Sequence, residues 1–209
     1  MKKLYSFIAT MVISIVVFGQ VSLTTLNTAY TQNFDGLAST GTGTGTVTTT
    51  GTSGSKVASV ILSGSLSGWY FVETTTNADG VYTASTGSAT AGDTYSYGAS
   101  SSTERALGSI ASGNLLSRYG AQFTNNTGNT IDQLDISYVG EEWRFDPARG
   151  TTIKDQITFE YSTDATSLTT GTWTAVTALL YETTNLTGTV GTRNGNDAAY
   201  RTSLSNTIT

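Results

Sequence analysis

The sequence predicts an all-β protein, an antiparallel β-sandwich or jelly roll behind an N-terminal signal-peptide helix. Three observations carry this prediction. Thr is roughly a fifth of the chain and Gly contributes 23 residues, a pairing of strand formers with turn formers. Apolar and polar residues alternate with a period of two from Ser117 to Thr163. Short apolar runs recur at close intervals, separated by Gly-rich breaks, and no helical periodicity follows the first segment.

Met1 to Gly19 reads as a secretory signal peptide, with Lys2 and Lys3 before an apolar run from Leu4 to Phe18. That run is shorter than the ~20 residues of a membrane-spanning helix. Cleavage is expected before Gln20, leaving no stable membrane anchor and a β-sandwich domain over residues 20–209. Val21 to Leu37 should hold the first mature strand, anchored by Tyr30 and Phe34. Residues 40–55, TGTGTGTVTTTGTSGS, have too few bulky side chains to offset the entropy of ordering, so composition predicts a mobile low-complexity loop. Apolar content returns at Val60-Ile61-Leu62 and Trp69-Tyr70-Phe71. Asn77 to Gly80 and Ala91 to Asp93 read as turns, and Ala106, Leu107 and Ile110 as a short strand.

The central stretch has the clearest pattern. Tyr119, Ala121 and Phe123 share one parity, Leu134, Ile136 and Tyr138 a second, and Ile157, Phe159 and Tyr161 a third. Successive strand residues face opposite ways, so each trio lies on one face, and the apolar faces need a second layer to cover them. Further strands are expected through Trp173 and Val176, and through Leu204 and Ile208.

Composition also excludes chemistry. The chain has no Cys and no His, which removes disulfides, thiolate sites and every triad built on histidine. A net charge of −5 with 12% charged residues argues against a nucleic-acid partner, which requires a basic stripe. The densest polar cluster is Glu141-Glu142-Trp143-Arg144. Adjacent strand residues face opposite sides, so Glu141 and Glu142 cannot be a side-by-side catalytic pair. One reading makes Glu142 or Glu104 the ion partner of Arg105 or Arg144. The functional reading makes Glu142, Trp143 and Arg144 a ligand-binding groove, with the indole as platform. Glu142 with Glu160 is the remaining pair for glycoside hydrolysis, which needs two carboxylates flanking one bond. Asn194-Gly195-Asn196-Asp197 offers oxygen ligands of the kind Ca²⁺ loops use, without the spacing of an EF-hand, and such a tetrapeptide is more often a turn. Apart from that Ca²⁺ option no cofactor is expected, and no catalytic residue is assigned.

Six motifs together resemble a module of secreted bacterial proteins: FDGL at Phe34 to Leu37, GDTYSYGA at Gly92 to Ala99, ERALGS at Glu104 to Ser109, GAQFTNNTG at Gly120 to Gly128, ISYVGEEWR at Ile136 to Arg144, and DQITFEYST at Asp155 to Thr163. The module is similar to a concanavalin-like or jelly-roll sandwich found beside lamin-tail, extracellular nuclease or C-terminal sorting domains. The resemblance implies an extracellular or cell-surface location and brings no established activity. Such modules continue past the strand at Thr202 to Thr209, so it also implies an N-terminal fragment with missing strands and further C-terminal domains. Three functions follow as expectations: a non-catalytic module for adhesion, glycan binding or spacing; a sandwich glycoside hydrolase; or the accessory domain of a nuclease.

Overall fold

The computed structural model describes residues 19–52, 54–146 and 152–209; the expected signal segment, apart from Gly19, lies outside them. The described chain is almost entirely β. Its strands, in order, are β1 (Val21–Leu23), β2 (Thr42–Gly43), β3 (Thr46–Thr50), β4 (Val57–Ile61), β5 (Trp69–Thr74), β6 (Tyr82–Ser85), β7 (Asp93–Tyr97), β8 (Ala106–Ile110), β9 (Leu116–Ala121), β10 (Phe123–Asn125) and β11 (Leu134–Glu141). The second half adds β12 (Arg144–Phe145), β13 (Gln156–Ile157), β14 (Glu160–Tyr161), β15 (Thr174–Ala175), β16 (Tyr181–Glu182), β17 (Gly191–Thr192) and β18 (Arg201–Ile208).

Two four-stranded sheets, β2-β6-β7-β8 and β3-β4-β5-β9, form the first half. Their inner faces share one core: Val60 and Phe71 from the second sheet meet Tyr82 from the first, with Leu37, Leu62 and Leu66 closing the end. The Phe71 and Tyr82 rings meet edge to face at 6.2 Å between centroids, the geometry that aromatic quadrupoles favour. Period-two alternation on β5 aims Phe71 and Glu73 into this interlayer, so a carboxylate sits where an apolar residue would be usual.

The pairing is not wholly antiparallel, as the sequence predicts it to be. β1 runs parallel to β10, and β6 runs parallel to β7. Adjacent parallel strands need a crossover, here only the segment between Ser85 and Asp93. A short extended link at ~3.3–3.6 Å per residue is still long enough to return along a four-residue strand. It does so by swinging outward: Gly87, at φ +88°, lies against the Trp143 carbonyl, and Ala89 packs on Tyr95, Tyr97 and Trp143. This excursion stitches the two halves of the chain together.

The second half is a long antiparallel ribbon, β11 with β18, in register from Leu134↔Ile208 to Glu141↔Arg201. The short pairs β13-β16 and β14-β15 continue one hairpin that folds onto it. Tyr138 stacks on Phe159 at 6.1 Å and donates its hydroxyl to the Leu179 carbonyl at 2.5 Å. Tyr181 lies on Gly140, where any Cβ would overlap its ring.

The predicted parities hold on the ribbon and its hairpin, where Ile136, Tyr138, Ile157 and Phe159 are half-buried between exposed neighbours and Tyr161 is half-buried beside exposed Glu160. Leu134 and Phe123 lie beyond the covering layer and stay exposed. The Thr/Gly tract over residues 40–55 is not simply a loop: it supplies β2 and β3, because β4 and β6 offer ready-made ladders to pair with. The first mature strand is short. Residues after Leu23 leave the ladder, and Phe34 anchors instead through a left-handed turn, φ +62°, with its ring edge-on to Trp69 at 4.7 Å.

Candidate functional site

Glu142, Trp143 and Arg144 follow directly on β11 and lead into β12, at the seam between the two halves. The structure buries the first two: Glu142 is 5% exposed and Trp143 4%. One face of the indole stacks on Tyr97, 6.1 Å between centroids and 7° from parallel. The loop Asn194–Asp197 closes over it, with Gly195 so close to the indole that a side chain would not fit. Trp143 Nε1 donates to Glu141 Oε2 at 2.9 Å. As a ligand groove this cluster therefore lacks an open aromatic face.

Glu142 does form a buried ion pair, but neither Arg105 nor Arg144 is the partner. Arg193, far along the sequence, donates to Glu142 Oε2 at 2.5 Å and to the carbonyls of Asn185 and Thr187 at 2.6 Å each. Its guanidinium lies 4.0 Å from the Phe145 ring centroid and 4.6 Å from that of Tyr200. Burial raises the Glu142 carboxyl, Arg193 pulls it down, and Asp155 pushes it up again. Glu142 Oε1 accepts no hydrogen bond among the described residues. The Arg105 guanidinium, also buried, donates to the Ser96 hydroxyl at 2.8 Å and to the Ser96 carbonyl rather than to an acid. Glu104 takes Asn196 Nδ2 at 2.6 Å. Nothing local in the sequence marks Arg193 as the partner, since only the β12-β17 pairing brings it there.

The segment Asn194 to Asp197 forms a turn. Asn194 Nδ2 donates to Asp197 Oδ1 at 2.9 Å, and the Asp197 amide donates to the Asn194 carbonyl at 2.9 Å. A different acidic group is assembled by the fold: one carboxylate oxygen each from Glu73, Asp79 and Asp93, all within 4.8 Å of one another. Glu73 is fully buried, and its oxygens are already engaged. Thr94 Oγ1 donates to Oε1 at 2.7 Å, while the Asp79 and Gly80 amides donate to Oε2 at 3.0 and 2.9 Å. Desolvation nevertheless holds its carboxyl above the usual range. Asp93 is also raised by burial, against hydrogen bonds from the Thr94 amide and the Thr83 hydroxyl. The group works as a hydrogen-bond hub between β5, the Asp79-Gly80 turn and β7. Its turns were visible in the sequence, but the convergence needs the two sheets to stack.

The surface offers a more open place. A cleft of about 400 Å³ is lined by Tyr30, Thr31, Gln32, Asn33, Ser65 and Ser67. Tyr30 is 38% exposed and held from beneath: Trp69 Nε1 donates to its hydroxyl at 2.8 Å, and Phe123 meets its ring edge-on at 5.5 Å. Gln32 clamps the floor, giving Nε2 to the Ser65 carbonyl at 2.9 Å and accepting the Phe34 amide at 3.0 Å. Asn33 accepts the Asp35 amide at 3.1 Å and donates to Asp35 Oδ2 at 2.7 Å. The segment is thus irregular yet fixed, consistent with the left-handed Phe34 at its centre. The lining carries hydroxyls, amides and one aromatic ring and no ionisable acid or base other than the phenol. Sequence reading treats Tyr30 as a core anchor, and only its partners reveal a surface ring. No family model matches the chain, and no curated protein and no solved structure matches it either.

Proposed function

We propose that this chain is a non-catalytic module of an exported bacterial surface or secreted protein, a jelly-roll type sandwich that binds a neutral extracellular glycan. The observation that carries the reading is the cleft at Tyr30. A ring anchored from below and open above suits the apolar face of a sugar, and amides and hydroxyls around it suit the sugar's hydroxyls. The lining has neither Lys nor Arg, so an anionic glycan gains nothing there.

A hydrolase fits these residues less well. Glu142 points at Arg193 with its side chain 4% exposed, while Glu160 stands exposed on β14. A glycosidase pair must flank one bond from an open groove. Retention of the protein on immobilised neutral oligosaccharides, such as cello-, manno- and galacto-oligomers, tests the reading. Tyr30→Ala should weaken binding about tenfold, equivalent to ~1.4 kcal/mol, in a variant that circular dichroism shows to remain folded. Retention on no neutral sugar, or equal retention of the variant, would overturn it. Steady release of reducing ends by the wild type would favour the hydrolase.

A further inference from the structure

The outer edge of β3 has an unusual character. Among the described residues β3 pairs with β4 on one side only, through an unbroken ladder from Thr46↔Ile61 to Thr50↔Val57. All five residues, Thr-Val-Thr-Thr-Thr, are exposed. Every one is β-branched, and the strand carries no charge, proline or bulge. Those are the devices that normally keep sheet edges from pairing with other chains. Residues 36–55 contain no ionisable side chain at all, in a protein of net charge −5.

The other edges of the two four-stranded sheets are protected. β8 is half-buried along its length, next to Glu104 and Arg105. β9 is covered by the loop at Leu168, which touches Gly120 and accepts from Arg118. β2 has only two residues, and the ribbon strands carry the charges that β3 lacks, Asp135 and Glu141 on β11 and Arg201 on β18.

We infer that β3 is an association edge whose occupant is β3 of a second copy, running antiparallel about a two-fold axis at Thr48. Three features select the second copy over a foreign strand. The edge presents no side-chain pocket or charge by which an unrelated peptide could be chosen. Two-fold pairing sets Thr46 opposite Thr50 and Val47 opposite Thr49, and cross-strand threonine pairs are favourable. Two molecules of net charge −5 repel through most of their surfaces, and residues 36–55 give them an uncharged place to meet. The product is one continuous sheet, four strands from each copy, closed by an isologous interface.

Sedimentation equilibrium on the full chain tests this, beside amide hydrogen exchange at residues 46–50. Thr48→Lys places two ammonium groups across the axis while leaving the exposed position free to fold. It should weaken dimerisation on the order of tenfold or more and abolish concentration-dependent protection of the β3 amides. Thr48→Val should keep the dimer, and Ser203→Lys, a charge on exposed β18, should not disturb it. A wild type that stays monomeric to millimolar concentration would overturn the inference. So would a dimer insensitive to Thr48→Lys, or one broken by Ser203→Lys instead.

Discussion

Glu73 gives the sharpest test of the fold, because it is a charge placed in an apolar interlayer. Its carboxylate receives three donors, the Thr94 hydroxyl and the amides of Asp79 and Gly80. Glu73→Ala leaves the buried Gly80 amide without an acceptor and weakens the hold on Asp79. Thr94 keeps one partner, the Ser117 hydroxyl at 2.8 Å. At ~1–3 kcal/mol for each orphaned buried donor, the loss should be about 2–4 kcal/mol. Glu73→Gln keeps an oxygen for the two amides and offers an NH₂ to Thr94 Oγ1, while removing the charge. It should fall within ~1 kcal/mol of the wild type at pH 7 by the same accounting.

The pH dependence separates the two roles. Burial raises the folded carboxyl above its ordinary value of about 4.3, so within that window the folded state binds more protons than the unfolded. Its contribution is therefore full below the ordinary value and is lost as pH rises through the folded one. Urea unfolding across that range should show the difference between Glu73→Gln and wild type growing in favour of glutamine as pH rises. A glutamine variant as unstable as alanine at every pH, or a flat difference, would refute the assignment.

Breaking the seam should cost more than removing it. Arg193→Met strands the buried Glu142 carboxylate and should lose about 3–5 kcal/mol, with the double variant Glu142→Gln, Arg193→Met recovering much of the loss in urea melts. Phe71, fully buried against Tyr82, should cost about 3–5 kcal/mol on truncation to Ala, read from the urea midpoint. Phe159→Ala should cost less, about 1–2 kcal/mol, because its ring is half-buried and covers only Tyr138's side of the ribbon.

These residues also show what a linear reading can reach. Alternation is a local property, so Ile136, Tyr138, Ile157 and Phe159 declare their face from spacing alone, and the structure packs Phe159 on Tyr138. The Thr/Gly tract misleads for the complementary reason. Its own side chains supply little energy, and β2 and β3 form because β6 and β4 are already there to receive them. Strand propensity in threonine is permission to pair, and the partner decides whether pairing occurs.

The site residues depend still more on distance along the chain. Glu142 and Trp143 draw attention because charge and indole stand together, yet charge and aromatics are also what a domain seam needs when it must be both specific and buried. Trp143 meets Tyr97 from one half and Gly195 from the other, and Glu142 meets an arginine 51 residues away. Polar residues buried in this way present no open face to a ligand. Tyr30 presents the opposite case: its phenol is tied to Trp69 from below, which fixes the ring while leaving its surroundings polar and open. A binding surface requires both properties together, a side chain immobilised by the fold and a face the fold leaves uncovered, and the second becomes visible only when every neighbour has been placed.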